Sequence, residues 1–146
     1  MFRKALLFII SFFVTGNIFA VNIQVTIVIN GITVNRGLLY VAVYSNENDY
    51  NRERAFISFT LQPTNTRLTH SLELPAGEYV VSIFQDTNND GRLNTNLFGV
   101  PTEPVGKTNY NLRGRAGNFN SLRVPVNNNS RVLTVNMGRV RVFGII

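Results

Sequence analysis

Short runs of alternating apolar and polar residues, separated by turn signals, account for most of the chain after residue 20. Alternation with a period of two predicts β-strands, because successive side chains of a strand point to opposite faces of a sheet. No stretch beyond residue 20 shows the 3.6-residue period of an amphipathic helix. We therefore predict strands at residues 23–29, 38–44, 55–61, 67–74, 78–85, 119–126 and 131–137.

Turn signals between these runs, such as Asn30-Gly31 and Pro75-Ala76-Gly77, recur at intervals typical of antiparallel sheets. The sequence therefore predicts an all-β fold, an antiparallel β-sandwich of about seven strands of immunoglobulin-like or similar topology. A small closed barrel is the alternative. The chain has no cysteine, so this domain has neither a disulfide nor a thiol nucleophile.

The first 20 residues differ in composition from the rest of the chain. Arg3 and Lys4 precede an apolar stretch of about ten residues, and Ala20 supplies a small residue at its end. This arrangement predicts a secretory signal peptide at 1–20, cleaved after Ala20, and a single sandwich domain at 21–146. We expect an exported protein, periplasmic or secreted, with no membrane span after cleavage. The alternative is an uncleaved N-terminal anchor, which the shortness of the apolar stretch disfavours.

The segment after the fifth predicted strand matches the beginning of a calcium-binding loop. From Asp86 to Asn94 it reads D-T-N-N-D-G-R-L-N, which fits the pattern D-x-[DN]-x-[DN]-G. Alternate side chains of such a loop converge on one point, and calcium takes six to eight oxygen ligands. The predicted calcium ligands are Asp86, Asn88, Asp90, the carbonyl of Arg92, Asn94 and, folding back from further along the chain, Glu103.

The same loop departs from the pattern at its twelfth position, where Leu97 replaces a bidentate glutamate. With two carboxylates in the loop, the predicted calcium affinity is weak, on the order of 0.1–1 mM. The alternative interpretation is a turn without metal. Asn-Asp-Gly between two strands is itself a turn signal, and Asp86 and Asn88 can close Asx-turns.

Three segments around this loop share a further pattern: the turn Pro75-Ala76-Gly77-Glu78-Tyr79, the loop from Asp86 to Leu93, and the stretch from Gly99 to Gly106. Together they resemble the P-A-G-x-Y, D-x-N-x-N/D-G-x-L and G-I-P-x-E-x-x-G segments of an uncharacterised bacterial family, domain of unknown function 2141. The resemblance implies an exported sandwich of the transthyretin-like or carboxypeptidase-regulatory type with no established activity. That family often has an aspartate near the position of Asn94, and its absence weakens the predicted calcium site.

Charge is distributed unevenly along the chain. All eight acidic residues lie between Glu47 and Glu103, and only basic charges follow. A uniformly basic C-terminal third can meet an anionic partner, such as a lipid headgroup or an envelope polysaccharide, or it can be a solvated basic face. Dispersed arginines on an exported chain argue against nucleic acid. The candidate anion-binding residues are Arg113, Arg115, Arg123, Arg131, Arg139 and Arg141.

The sequence contains no evident catalytic constellation, so we do not expect an enzyme. His70 is the only histidine, and its parity with Leu68 and Leu72 places it on an apolar strand face. No serine lies in a nucleophile turn. We expect a non-catalytic accessory or binding protein of unknown ligand, with calcium stabilisation through the 86–94 loop and a turn without metal as the two interpretations that the sequence leaves open. The alternatives are an envelope-binding module that uses the arginines, and a weak carbohydrate-active enzyme that uses Asp86 or Glu103.

Overall fold

The computed structural model describes residues 21–142, most of which belong to two β-sheets or their connections. The signal peptide predicted for 1–20 lies outside the described residues. The strands are β1 (Asn22–Asn30), β2 (Leu38–Tyr44), β3 (Ile57–Leu61), β4 (Arg67–Pro75), β5 (Gly77–Asp86), β6 (Val105–Lys107), β7 (Val124–Val126) and β8 (Val132–Asn136). Two short helices, α1 (Glu47–Asn51) and α2 (Phe119–Leu122), lie between strands.

The smaller sheet has the strand order β4-β1-β8, and the larger has the order β3-β2-β5-β6, with β7 also pairing with β5. Every pair is antiparallel except β1 and β8, which run parallel. The prediction of an all-β, sandwich-like fold built from antiparallel strands is confirmed, with eight strands among the described residues and one parallel pair in addition.

The core lies between the inner faces of the two sheets, as the alternation predicts. In β1, Val25, Ile27 and Ile29 are completely buried, and they share one cluster with Leu39 and Val43 of β2. The intervening residues of β1 face outward. This division of β1 into an inward and an outward side fixes its register, because a slip of one residue would expose its completely buried apolar set.

The predicted strand at 119–126 is wrong in its first half. Asn118 caps a helical turn there, since its side-chain oxygen accepts the N–H of Ser121 at 3.1 Å. Phe119 and Leu122, three residues apart, then point together onto the outer face of the larger sheet, where they pack with Val80. The chain becomes extended only at β7.

Residues 86–118, between the fifth and sixth predicted strands, contain one strand that the alternation pattern does not predict, β6. Its middle residue, Gly106, lies so close to the smaller sheet that a Cβ atom there would come within 2.7 Å of Val135 Cγ1 and 2.8 Å of the Asn136 carbonyl oxygen. Glycine is therefore required where β6 closes against β8.

Replacing this glycine gives a direct test of the packing. We expect Gly106→Ala to lower the free energy of unfolding by roughly 1–3 kcal/mol, because the added methyl group overpacks the contact with β8. Urea unfolding followed by circular dichroism measures the change. Gly77→Ala is the matched control, since the nearest atom to a Cβ there is a Tyr79 ring carbon at 3.4 Å, an ordinary contact. Equal stability of the two variants would contradict the packing argument.

Candidate functional site

The loop from Asp86 to Asn94 is folded by the carboxylate with which it begins. Asp86 is the last residue of β5 and only 2% of its surface is exposed. Its Oδ1 accepts the N–H of Asp90 at 3.2 Å, and its Oδ2 accepts the N–H of Gly91 at 2.8 Å. Asn89 and Gly91 have left-handed backbone conformations, with φ of 58° and 75°, so the chain turns sharply beneath these bonds.

Three further side chains of the loop meet at one oxygen atom. Asn88 Nδ2 donates to Asp90 Oδ2 at 3.0 Å, and Asn94 Nδ2 donates to the same oxygen at 2.8 Å. Asn88 Nδ2 also lies 3.2 Å from Asn94 Oδ1. The nitrogen and oxygen of an amide have nearly equivalent positions, so a half-turn of each asparagine amide would point an oxygen toward this meeting point.

The environment of Asp90 favours its ionised form. The hydrogen bond from Asn94 is the largest influence and lowers the pKa of the Asp90 carboxyl below its ordinary value. Desolvation of the carboxyl raises the pKa by a smaller amount. The bonds from the Arg92 N–H and the Asn88 amide lower it further, so the net shift is downward. Arg92 joins the cluster through that N–H, which donates to Asp90 Oδ1 at 3.0 Å. The loop therefore carries a charged carboxylate at neutral pH.

Glu103 lies near the far end of the connection between β5 and β6, and its carboxylate binds both ends of the 86–94 loop. Only 4% of the surface of this residue is exposed. Oε1 accepts the N–H of Thr87 at 2.8 Å, and Oε2 accepts the N–H of Asn94 at 3.2 Å. The structure thus brings Glu103 to the predicted site, where its oxygens are engaged by backbone groups at the beginning and the end of the loop.

Two residues that the sequence analysis did not single out attach this region to the preceding turn. Gln85 is completely buried, and its Nε2 donates at 2.6 Å to the carbonyls of Thr33 and Arg36. Gly37, with φ of 63°, runs so close that a Cβ atom would come within 1.6 Å of the Asp86 carbonyl oxygen. The signal for Gln85 was its inward parity on β5, where a polar residue must find buried partners.

A cleft of about 440 Å³ lies beside the loop. Its walls are uncharged, and the loop contributes one of them through Asn89. The lining residues are Asn35, Gly37, Leu38, Gln62, Pro63, Thr64 and Asn89. Any movement of the loop therefore changes the shape of this cleft.

The six candidate arginines do not form one patch. The backbones of Arg113 and Arg141 form a parallel β-bridge. The Arg139 guanidinium donates to the carbonyl of Thr102. Arg115 is exposed next to this group. By contrast, Arg123 lies 3.9 Å from Glu78 near the start of β5, and Arg131 Nε donates at 3.0 Å to the carbonyl of Asn128 in the turn before β8.

His70 lies on the apolar side of β4, half-buried, with its ring stacked on Phe59 at a centroid distance of 4.4 Å. Within residues 21–142, no three or more His, Cys, Asp or Glu side chains converge as a set of metal ligands. An ion in the 86–94 loop would accordingly depend on amide and carbonyl oxygens as well as carboxylates. None of the helices in the described part of the chain has the length and hydrophobicity needed to cross a membrane.

The double contact of Glu103 leads to a second prediction. In Glu103→Gln, one backbone N–H would face the amide NH₂ group instead of an acceptor, so we expect the free energy of unfolding to fall by roughly 1–3 kcal/mol. Urea titration of the two proteins measures this loss. Glu73→Gln, on the exposed side of β4, is the control and should change stability little. A Glu103→Gln protein as stable as the control would show that the bonds to Thr87 and Asn94 contribute nothing.

Comparison with known proteins agrees with the resemblance seen in the sequence. No curated protein and no solved structure gives a significant match. A family model described as an uncharacterized protein conserved in bacteria, domain of unknown function 2141, matches residues 27–134. This range extends from β1 to β8 and includes the loop, the cleft and Glu103. The chain belongs to this family.

Proposed function

We propose that the protein is an exported, non-catalytic accessory or binding protein of the bacterial envelope, and that calcium stabilises its 86–94 loop. One observation carries the calcium proposal. Asn88, Asp90 and Asn94 meet at Asp90 Oδ2, while Asp86 closes the loop by accepting the N–H groups of Asp90 and Gly91.

The chemistry of these side chains selects the type of ion. Carboxylate, amide and carbonyl oxygens are hard ligands, which suit calcium in a flexible, loosely defined coordination shell. Structural zinc would need histidine or cysteine, and the chain has one histidine and no cysteine. With Asp86 and Asp90 as the only acidic residues in the loop, we expect a dissociation constant on the order of 0.1–1 mM, as in extracellular modules.

The buried carboxylates support a structural role rather than the carbohydrate-active alternative. A glycosidase needs two carboxyl groups that reach the scissile bond from opposite sides. Asp86 is 2% and Glu103 4% exposed, and all four of their carboxylate oxygens accept N–H groups of the loop. These groups are buried and organise the backbone of the loop, which supports a structural role over attack on a sugar.

Export is proposed from the composition of residues 1–20. When the protein is expressed with residues 1–20 in a Gram-negative host, we expect to recover it outside the cytoplasm. Its mass should match a chain that starts at Val21, because signal peptidases cut after a small residue such as Ala20. Intact-mass spectrometry of cell fractions measures this. An Ala20→Arg variant should accumulate unprocessed. Recovery of the wild-type chain from the cytoplasm with residue 1 or 2 at its start would refute export.

The calcium site is tested by thermal stability. An ion that binds only the folded state raises the unfolding midpoint, and about 5 mM calcium acting on a site of about 0.5 mM affinity should raise it by about 3–6 °C over EDTA. Asp90→Asn removes the charge at the meeting point and should abolish the shift. Differential scanning calorimetry measures both proteins.

Matched controls make this result specific. Glu73→Gln removes an exposed negative charge from β4 and should retain the full calcium shift. Magnesium at the same concentration should act more weakly, because it demands near-octahedral geometry and loses water reluctantly. The absence of any calcium shift in the wild type, or an equal shift in Asp90→Asn, would leave the loop as a turn without metal.

A further inference from the structure

The segment between the loop and Glu103 is a hairpin whose outermost side chains are apolar and exposed. Its two arms are joined by a bridge between Thr95 and Pro101 and by the Thr102 N–H, which donates to the Asn94 carbonyl at 2.9 Å. At the end of the hairpin, Leu97 is 101% and Phe98 75% exposed. Single exposed apolar residues are ordinary on a protein surface, but two large neighbours at the end of a projecting hairpin mark an interaction site. We call Leu97 and Phe98 the apolar tip.

Four hydrogen bonds pair part of the backbone in the turn that carries the apolar tip. Asn96 Oδ1 accepts the N–H groups of Phe98 at 2.9 Å and Val100 at 3.0 Å. The Asn96 N–H donates to the Val100 carbonyl at 2.9 Å, and the Gly99 N–H to the Asn96 carbonyl at 3.0 Å. Backbone groups that enter an apolar phase must already have partners, since an unpaired group there costs several kilocalories per mole. Asn96, the residue before the apolar tip, accepts two of these bonds through its side chain.

Basic residues surround the base of the hairpin. Arg92 is exposed two residues before Asn94, and the Arg139 guanidinium donates to the Thr102 carbonyl on the other arm. Arg141 lies two residues after Arg139, and its backbone forms a β-bridge with that of Arg113. No acidic residue follows Glu103 in the sequence, and Glu103 itself is buried. Asp90 of the 86–94 loop is also exposed, but these exposed arginines outnumber it, so the charge around the base is complementary to anionic headgroups.

The dimensions fit an interfacial depth. Three residues separate Phe98 from Asn94 on one arm and from Thr102 on the other, and three extended residues span roughly 10 Å. Apolar groups of interfacial proteins enter the headgroup and acyl boundary by about 5–10 Å. A hairpin of this length can place its tip among the acyl chains while the arginines at its base remain at the level of the phosphates.

We infer that the apolar tip inserts into an anionic phospholipid surface, with Arg92 and Arg139 against the headgroups. This rests on the proposed envelope location and is independent of the proposed calcium site. A convex apolar tip with a predominance of basic residues around its base fits an anionic lipid surface, which is soft. A protein partner would have to supply a matching apolar groove.

The absence of tryptophan from the chain allows a local test. Phe98→Trp places a single fluorophore at the tip of the full chain. With vesicles of phosphatidylcholine and phosphatidylglycerol brominated in their acyl chains, in EDTA, we expect its emission to shift to the blue and to fall at least about twofold. Phe56→Trp is the matched control, because Phe56 is also exposed, at 51%, but packs beside Tyr79 near the opposite end of β5. Its emission should not change. Both variants carry the same N-terminal residues, so any binding by that segment affects them equally.

Two changes should separate insertion from charge attraction. In the Phe98→Trp background, Leu97→Ser should weaken partitioning at least about tenfold, and Arg92→Gln should weaken it only on vesicles that contain phosphatidylglycerol.

Absence of quenching at position 98, or equal quenching at positions 98 and 56, would overturn the inference. Equal binding to purely zwitterionic vesicles would overturn the anionic requirement. A concentration-dependent dimer abolished by Leu97→Ser, without vesicle binding, would assign the tip to a second copy and overturn it as well. Since the vesicles are tested in EDTA, failure of the calcium shift leaves a positive result intact, whereas recovery of the protein only from the cytoplasm would remove its premise.

Discussion

Two buried carboxylates, those of Asp86 and Glu103, organise the connection between β5 and β6. Each accepts two backbone N–H groups from the 86–94 loop. A buried ionised carboxylate is costly unless several donors surround it, and buried N–H groups of a tight loop are costly unless they find acceptors. The pairing removes both penalties at once, and charge-assisted bonds of this kind are stronger than neutral ones. Without these carboxylates the loop would lose four of the hydrogen bonds that fix its conformation.

The sandwich supplies the rigidity on which this arrangement depends. Asp86 ends β5, which is hydrogen-bonded to β2 along its length, and Leu38 is its register partner. The carbonyl of Asp86 contacts Gly37, and Gln85 binds the turn before β2 through three hydrogen bonds. On the outer face, Tyr40 of β2 and Phe84 of β5 stack with centroids 4.8 Å apart, directly beside the loop. The loop therefore extends from two central strands and not from a mobile edge.

The alternation of apolar and polar residues was sufficient to predict β1 to β5, because each of these strands has one side buried against the other sheet and period two is a local property. It was insufficient for β6, whose three residues are too few to show a period and include Gly106. It failed at Phe119 because the helical turn depends on the Asn118 cap and on an outer-face pocket near Val80, which is a non-local contact. The parallel pairing of β1 with β8 joins the two ends of the domain and leaves no mark in either strand.

The candidate site shows the same division between local and distant information. The spacing of Asp86, Asn88, Asp90 and Asn94 is a local pattern, and the structure brings these side chains together as the spacing predicts. The position of Glu103 depends on a hairpin that no local pattern announces. The exposure of Leu97 and Phe98 could not be predicted from the sequence either. Large apolar residues are assigned to the core unless a structure places them in water.

One departure from the calcium-loop pattern links the site to the apolar tip. A closed loop of that type ends with a glutamate at its twelfth position, which folds back over the ion. Leu97 occupies this position and is fully exposed, because the chain leaves the loop at Asn94, projects outward as a hairpin and brings its carboxylate back only at Glu103. The carboxylate that arrives binds the backbone at both ends of the loop. Leucine at this position leaves the proposed calcium site without a glutamate there and supplies one of the two side chains of the apolar tip, and the loop is the base from which the hairpin extends.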